Sequence, residues 1–281
     1  MKLIKYTKTD YGIGSLSSGE FKITRPLDVN DPFEMLGACI GRLSDKARKE
    51  FVDDIAYKWT KETLSPSRIT PLRPIDVVRA DAWANADEAI REQVLSRSVF
   101  QQSDWILSVV DADRMDDRSD QLMWAHYADS GNGMRIWIDD SKMPKEYPAF
   151  SRVRYSDERP CLDLRKVESW DARAVFGELV GQCLLTKSEA WRYECEWRMI
   201  VTDRVRPELL AKHVGEKGEE LEFVKIPLSA VVRVDFGPKA YQNETKILIR
   251  KLKANPALQH VEMRIAVFHP TRYQYVYAEM D

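Results

Sequence analysis

Glu194, Glu196 and Arg198 stand at alternate positions in the run from Leu184 to Val201. If the second half of that run is extended, all three share one face, and Tyr193, Cys195, Trp197, Met199 and Val201 share the other. Two carboxylates at i and i+2 on a strand lie roughly 7 Å apart, close enough to alter each other's protonation and to share a substrate. Arg198 is next in line to hold one of them ionised. The same pattern also describes a half-buried strand whose outer face is simply wet. Spacing alone leaves both readings standing.

His126 is the next candidate. The run Ser119 to Asp129 reads as a helix of about three turns, with Ser119 or Asp120 as N-cap and Gly131 as stop. Met123, His126 and Tyr127 share one face of it, and Trp124 and Ala128 another. A lone histidine offers no catalytic partner by spacing, and Trp and Tyr on an amphipathic helix are more often core than cofactor contacts. Asn30-Asp31-Pro32-Phe33-Glu34 reads as a tight turn anchored by Phe33, or as a loop that fixes the wall of a pocket.

Other chemistries lose support. The four cysteines form no Cys-x-x-Cys pair and the four histidines show no ligand spacing, so no structural metal is expected. There is no Gly-x-Gly-x-x-Gly, no Gly-Lys-Ser/Thr phosphate loop and no Gly-x-Ser-x-Gly elbow. The formal net charge of −2 gives no global basic field for nucleic acid. No window approaches the roughly eighteen apolar residues of a membrane span, so the expectation is a cytoplasmic protein with no membrane partner.

The positioning elements follow from periodicity. The 281 residues suit a single α+β domain. Strands are predicted at residues 2–6, 21–24, 105–110, 134–138, 149–155, 221–226, 231–236, 261–268 and 273–278. Helices are predicted from Asp45 to about Lys61, with Phe51, Ile55 and Trp59 inward, and between Ile75 and Phe100, with Val78, Ala82, Ile90, Val94 and Leu95 inward. Further helices are expected at about Asp171–Leu185 and Tyr241–Leu252. Residues 40–100 read as a helical block inserted into a sheet domain, its two helices separated by the proline-rich run Ser65–Pro74. Asp10 to Ser15, with two glycines, reads as a turn-rich loop.

Four separated segments resemble one family. Asn30-Asp31-Pro32-Phe33-Glu34, Leu122 to Asp129 with Gly133, Lys187 with Trp191-x-Tyr193-Glu194-x-Glu196-Trp197-Arg198, and Phe236-Gly237-Pro238-Lys239 are similar to bacterial domain of unknown function family 2971. The order matches along nearly the whole chain, with departures at Val29, Ala125 and the Ser130-Gly131-Asn132 turn. The family is in turn similar to the ADP-ribosyltransferase-like folds, met as toxins or phage-defence effectors. That resemblance implies a split-sheet α+β core with a central cleft, an early strand offering a polar group near Lys5 and Tyr6, and a late strand offering a glutamate.

It also implies NAD as substrate. Glu196 would face the ribose, where breaking the nicotinamide bond develops oxocarbenium charge, and Glu194 would orient the acceptor. Tyr127 or Trp124 would stack on nicotinamide, and His126 would hydrogen-bond the ribose. Lys187 and Arg198 would face the pyrophosphate, with Trp191, Asn30 and Asp31 around the same ligand. A macromolecular acceptor, or a toxin or antitoxin partner, would complete the system. The alternatives are a nuclease or nucleotide hydrolase of a defence system, and a non-catalytic ligand-sensing or toxin-neutralising module.

Overall fold

The computed structural model describes residues 1–63, 73–100, 104–202, 207–215, 218–240 and 243–280. In chain order the elements are β1 (Lys2–Thr7), α1 (Thr9–Ser18), β2 (Glu20–Lys22), β3 (Ala38–Ile40), α2 (Asp45–Thr63), α3 (Ile75–Leu95), β4 (Asp104–Asp111), α4 (Asp117–Tyr127), β5 (Met134–Asp139), β6 (Phe150–Arg152) and β7 (Arg154–Tyr155). There follow β8 (Cys161–Asp163), α5 (Ala172–Leu184), β9 (Thr186–Lys187), β10 (Glu196–Thr202), β11 (Leu210–Val214), β12 (Glu220–Lys225), β13 (Val231–Phe236), α6 (Asn243–Lys253), β14 (Glu262–Phe268) and β15 (Tyr275–Glu279). The fold is mixed α+β, as expected. It divides into two compact units, Met1–Val29 with Gln102–Tyr155 and Glu189–Asp281, and Asn30–Gln101 with Ser156–Ser188.

The first unit is built on an eight-stranded sheet in the order β15-β14-β13-β5-β1-β4-β10-β6, in which β13 and β14 run parallel. Strand alternation gives the sheet two apolar faces. Leu3, Leu107, Val109, Met134, Ile136, Met199, Val201 and Phe236 face one core. Ile4, Tyr6, Val110, Met123, Trp124 and Ala266 make the other, so α4 packs on that second face. β2, β11 and β12 form a separate three-stranded antiparallel sheet.

Pairing along β1 is uneven. All six residues of β1 pair with β5, but only Leu3 and Ile4 pair with β4. Beyond them the Lys5 ammonium donates to the Ser108 carbonyl of β4 at 3.1 Å, and Ile106 is bridged by Thr24. A side chain and a loop residue thus occupy the β4 edge that β1 leaves.

The glycines at 12 and 14 do not make a loop. Thr9–Ser18 is helical, because Gly12 lies against β5 and β1, where a Cβ would fall 2.3 Å from Met134 Sδ. Ser15, Ser17 and Ser18 donate to carbonyls one turn back, at Tyr11, Ile13 and Gly14. Local turn propensity loses here to close packing.

The second unit holds α2, α3, α5 and the parallel pair β3–β8, so the expected helical block lies in it. Leu43, Phe51, Val52, Ala86, Ile90, Leu164 and Val167 form its core, with the Phe51 and Trp170 rings edge-on at 4.9 Å. Ile90 and Val94 point inward as expected. Leu95 does not, and is 56% exposed, since it lies one residue off the Ala86, Ile90, Val94 stripe. The proline-rich run lies mostly outside the described residues, as does Tyr241.

Candidate functional site

Glu194 and Glu196 do not project from one strand face. Residues 189–194 form a 3-10 turn, Cys195 takes a left-handed φ of 46°, and β10 starts only at Glu196. A left-handed non-glycine residue breaks the two-residue alternation on which the expectation rested. Trp197, Met199 and Val201 face the first core as predicted, but Tyr193 and Cys195 pack into the second. The charged face of β10 is not wet either. Glu196 is 4% exposed and Arg198 1%, and Arg198 grips both carboxylate oxygens, Nε to Oε1 at 2.8 Å and Nη2 to Oε2 at 2.9 Å. The backbone N–H of Glu196 donates to the Tyr155 hydroxyl at 2.8 Å.

Glu194 joins a different group. Its buried carboxylate accepts the Tyr127 hydroxyl at 2.5 Å, tying the end of α4 to the 3-10 turn. The His126 ring lies 6.2 Å from Tyr127, 6.4 Å from Trp191 and 6.4 Å from Tyr193, and the Trp191 and Tyr193 rings are 6.0 Å apart. Tyr127, Trp191 and Tyr193 are half-buried and His126 is exposed, so this aromatic group reaches solvent at the imidazole. Phenol and indole rings of this kind beside a carboxylate are able to attract a cation.

Trp124 is not a stacking surface. Its ring is fully buried, edge-on to Tyr6 at 5.6 Å, and its indole N–H donates to the Tyr277 hydroxyl at 3.1 Å. Tyr6 is likewise committed to the core, donating to Asp120 at 2.5 Å.

Asp120 opens a network that spacing did not reveal. The N-cap of α4 is Asp116, whose carboxylate accepts from the Ser119 N–H at 2.7 Å, and not Ser119 or Asp120. Asp120, one turn in, turns its carboxylate to the sheet and accepts from Tyr6, Tyr277 and Arg135. Arg135 Nε reaches Asp235 at 2.6 Å, and Asp235 also accepts from Trp137 at 2.6 Å and Arg233 at 2.7 Å. The Arg135 guanidinium lies 3.8 Å from the Tyr277 ring centroid. Burial works against the charge on Arg135, but Tyr6, Asp235, Asp120 and Tyr277 outweigh it and hold its pKa above the ordinary value. Burial and the neighbouring Asp120 raise the Tyr6 phenol, and both act on Tyr277 in the same direction against Arg135, so both phenols stay donors. The signal in the sequence was an arginine and an aspartate at interior positions of the apolar strands Met134–Asp139 and Val231–Phe236.

Lys5 behaves differently. Burial draws its pKa down to about 8, with Glu196 pulling it up and Lys22 pushing it down. Between pH 8 and the free-lysine value near 10.5 the unfolded chain binds the extra proton, so the cost of the buried charge is present below pH 8 and is relieved as pH rises. The unfolding free energy of the wild type relative to Lys5→Met should therefore increase between pH 8 and 10.5 in urea titrations. A flat difference across that window would contradict the placement of Lys5.

Asn30, Asp31 and Lys187 belong to the second unit. Asn30 is exposed, and buried Asp31 accepts the Phe33 N–H at 2.9 Å. Lys187 pairs with Glu34 at 3.4 Å, both side chains nearly fully buried. Among the described residues no group of three or more His, Cys, Asp or Glu is placed to hold a metal ion, and no helix is long and apolar enough to cross a membrane.

Residues 123–199 match the family model described as Protein of unknown function (DUF2971). The matched stretch runs from Met123 in α4 to Met199 in β10, and so contains His126, Tyr127, Arg135, Lys187, Trp191, Glu194, Glu196 and Arg198. No curated protein and no solved structure matches the chain.

Proposed function

We propose that the first unit binds NAD and cleaves its nicotinamide–ribose bond, transferring ADP-ribose to an acceptor. The observation that carries this reading is the buried Glu194 carboxylate, bonded to Tyr127 at 2.5 Å beside the His126, Trp191 and Tyr193 rings. The nicotinamide ring of NAD is a flat cation, which the rings and the carboxylate favour. As the bond breaks its electron pair passes to the nicotinamide nitrogen, and positive charge moves to the ribose C1′. A fixed carboxylate stabilises that charge until the acceptor's nucleophilic atom bonds to C1′ and loses its proton.

In this reading Glu194 takes the ribose role that the family resemblance implies for Glu196. Arg198 occupies both oxygens of Glu196, so the charge of that carboxylate is already compensated by the guanidinium. Tyr127 orients Glu194, and His126 stands at the solvent edge, where an acceptor would enter.

Purified protein incubated with NAD should release nicotinamide, measured by chromatography, and Glu194→Gln should release it about 10²- to 10³-fold more slowly. Equal rates from the two proteins would overturn the proposal. The buried Arg198–Glu196 clasp favours a second reading, a module that binds nucleotide without turnover. It predicts saturable NAD binding by calorimetry with no nicotinamide released.

A further inference from the structure

We propose that the Asn30–Glu34 turn of the second unit is a stacking platform for a nucleotide, with the Phe33 ring taking the base and the Arg97 guanidinium the phosphate. This is independent of the reading given for the first unit, since it requires no NAD chemistry.

The argument starts from what holds the turn. Asp31, 4% exposed, accepts the Phe33 N–H at 2.9 Å, and its carbonyl accepts the Glu34 N–H at 3.1 Å. Glu34 is buried and paired with buried Lys187. Met35 takes a left-handed φ of 61° with its side chain 1% exposed, and Gly37 packs so closely that a Cβ would lie 2.9 Å from Val94. Arg97, itself left-handed at φ 59°, donates to the Pro32 carbonyl. Two left-handed non-glycine residues, a conformation costly for side chains with a Cβ, thus stand where the turn meets its support.

This fixed backbone presents Phe33 to solvent at 71% exposure. Burying a phenylalanine is strongly favourable, and the chain forgoes that here while burying Asp31 and Glu34 on either side of the exposed Pro32–Phe33 pair. A turn alone would be served by any polar residue at that position. An exposed aromatic ring carried on a held backbone has the form of a stacking surface, and stacking works for any base because every base presents a π-face.

Charge narrows the occupant. The Pro32 carbonyl uses one of the five N–H donors on Arg97, and a planar guanidinium suits a phosphate. A ring on the turn and a cation tied to the turn's Pro32 carbonyl match a base and a phosphate joined through a ribose.

The test uses the whole chain and AMP as probe, by calorimetry. The wild type should bind AMP, and bind adenosine and ribose 5-phosphate each more weakly. Phe33→Ala should weaken AMP binding at least about fivefold with an unchanged melting temperature. Phe33→Trp should keep the affinity, and AMP should quench the added indole emission. No AMP binding by the wild type, equal affinity in Phe33→Ala, or unquenched emission in Phe33→Trp would each overturn the proposal.

Discussion

Asp235→Ala is expected to cost about 3–5 kcal/mol of folding free energy, a large part of the roughly 5–15 kcal/mol that a protein of ordinary stability possesses. Asp235 is fully buried and accepts from Arg135, Arg233 and Trp137. Its removal leaves Arg135, 3% exposed, with Asp120 as its remaining acidic contact, and leaves the Trp137 indole N–H without its acceptor. A buried cation stripped of a partner keeps the desolvation cost and loses the compensation, which is why breaking such a pair costs far more than the pair contributes when whole. Asp235→Asn keeps an acceptor oxygen without the charge and should cost less. Urea titrations of the three proteins measure this. A loss under about 1 kcal/mol in the alanine variant would mean that the network is not a structural keystone of the sheet.

Arg198→Met should be comparable, about 3–5 kcal/mol, for the mirrored reason that a buried carboxylate loses its clasp. The two variants differ in how acid affects them. In Arg198→Met the folded-state pKa of Glu196 should rise above its unfolded value near 4.3, so the folded form binds the extra proton first. Its deficit against the wild type should then shrink as pH falls from 7 toward 4.5, because protonation removes the charge that Arg198 compensated. A deficit that grows with acid would place the lost interaction elsewhere.

What the sequence showed and what it hid can be traced to particular residues. The apolar strand at Trp105–Val110, the helix through Met123–Tyr127 and the stripe containing Ile90 and Val94 were legible because burial imposes their period. The core face of β10 was legible from Trp197, Met199 and Val201 for the same reason. The Glu194–Glu196 pairing was misread because one left-handed residue, Cys195, shifts everything before it, and no propensity marks a cysteine for that conformation. The helix α1 was hidden because Gly12 and Gly14 signal turns locally, while the tightest contact that explains Gly12 is with Met134, more than a hundred residues on. The Asp120–Arg135–Asp235 network was hidden because an ion pair between residues 100 apart has no spacing rule. A charged residue inside an otherwise apolar strand was its only trace.

The order in which the two units use the chain has a consequence for synthesis. The path leaves the first unit after Val29, returns at Gln102, leaves again after Tyr155 and returns at Glu189. No single cut therefore yields either unit intact, and truncation from either end damages the first. On the ribosome β1 is made more than a hundred residues before its partner β5, which begins at Met134, and the second unit lacks its last strand until Lys187 has emerged. Between those points the nascent chain carries unpaired strands, and its yield should respond to chaperone supply more than that of a protein whose domains emerge one after the other.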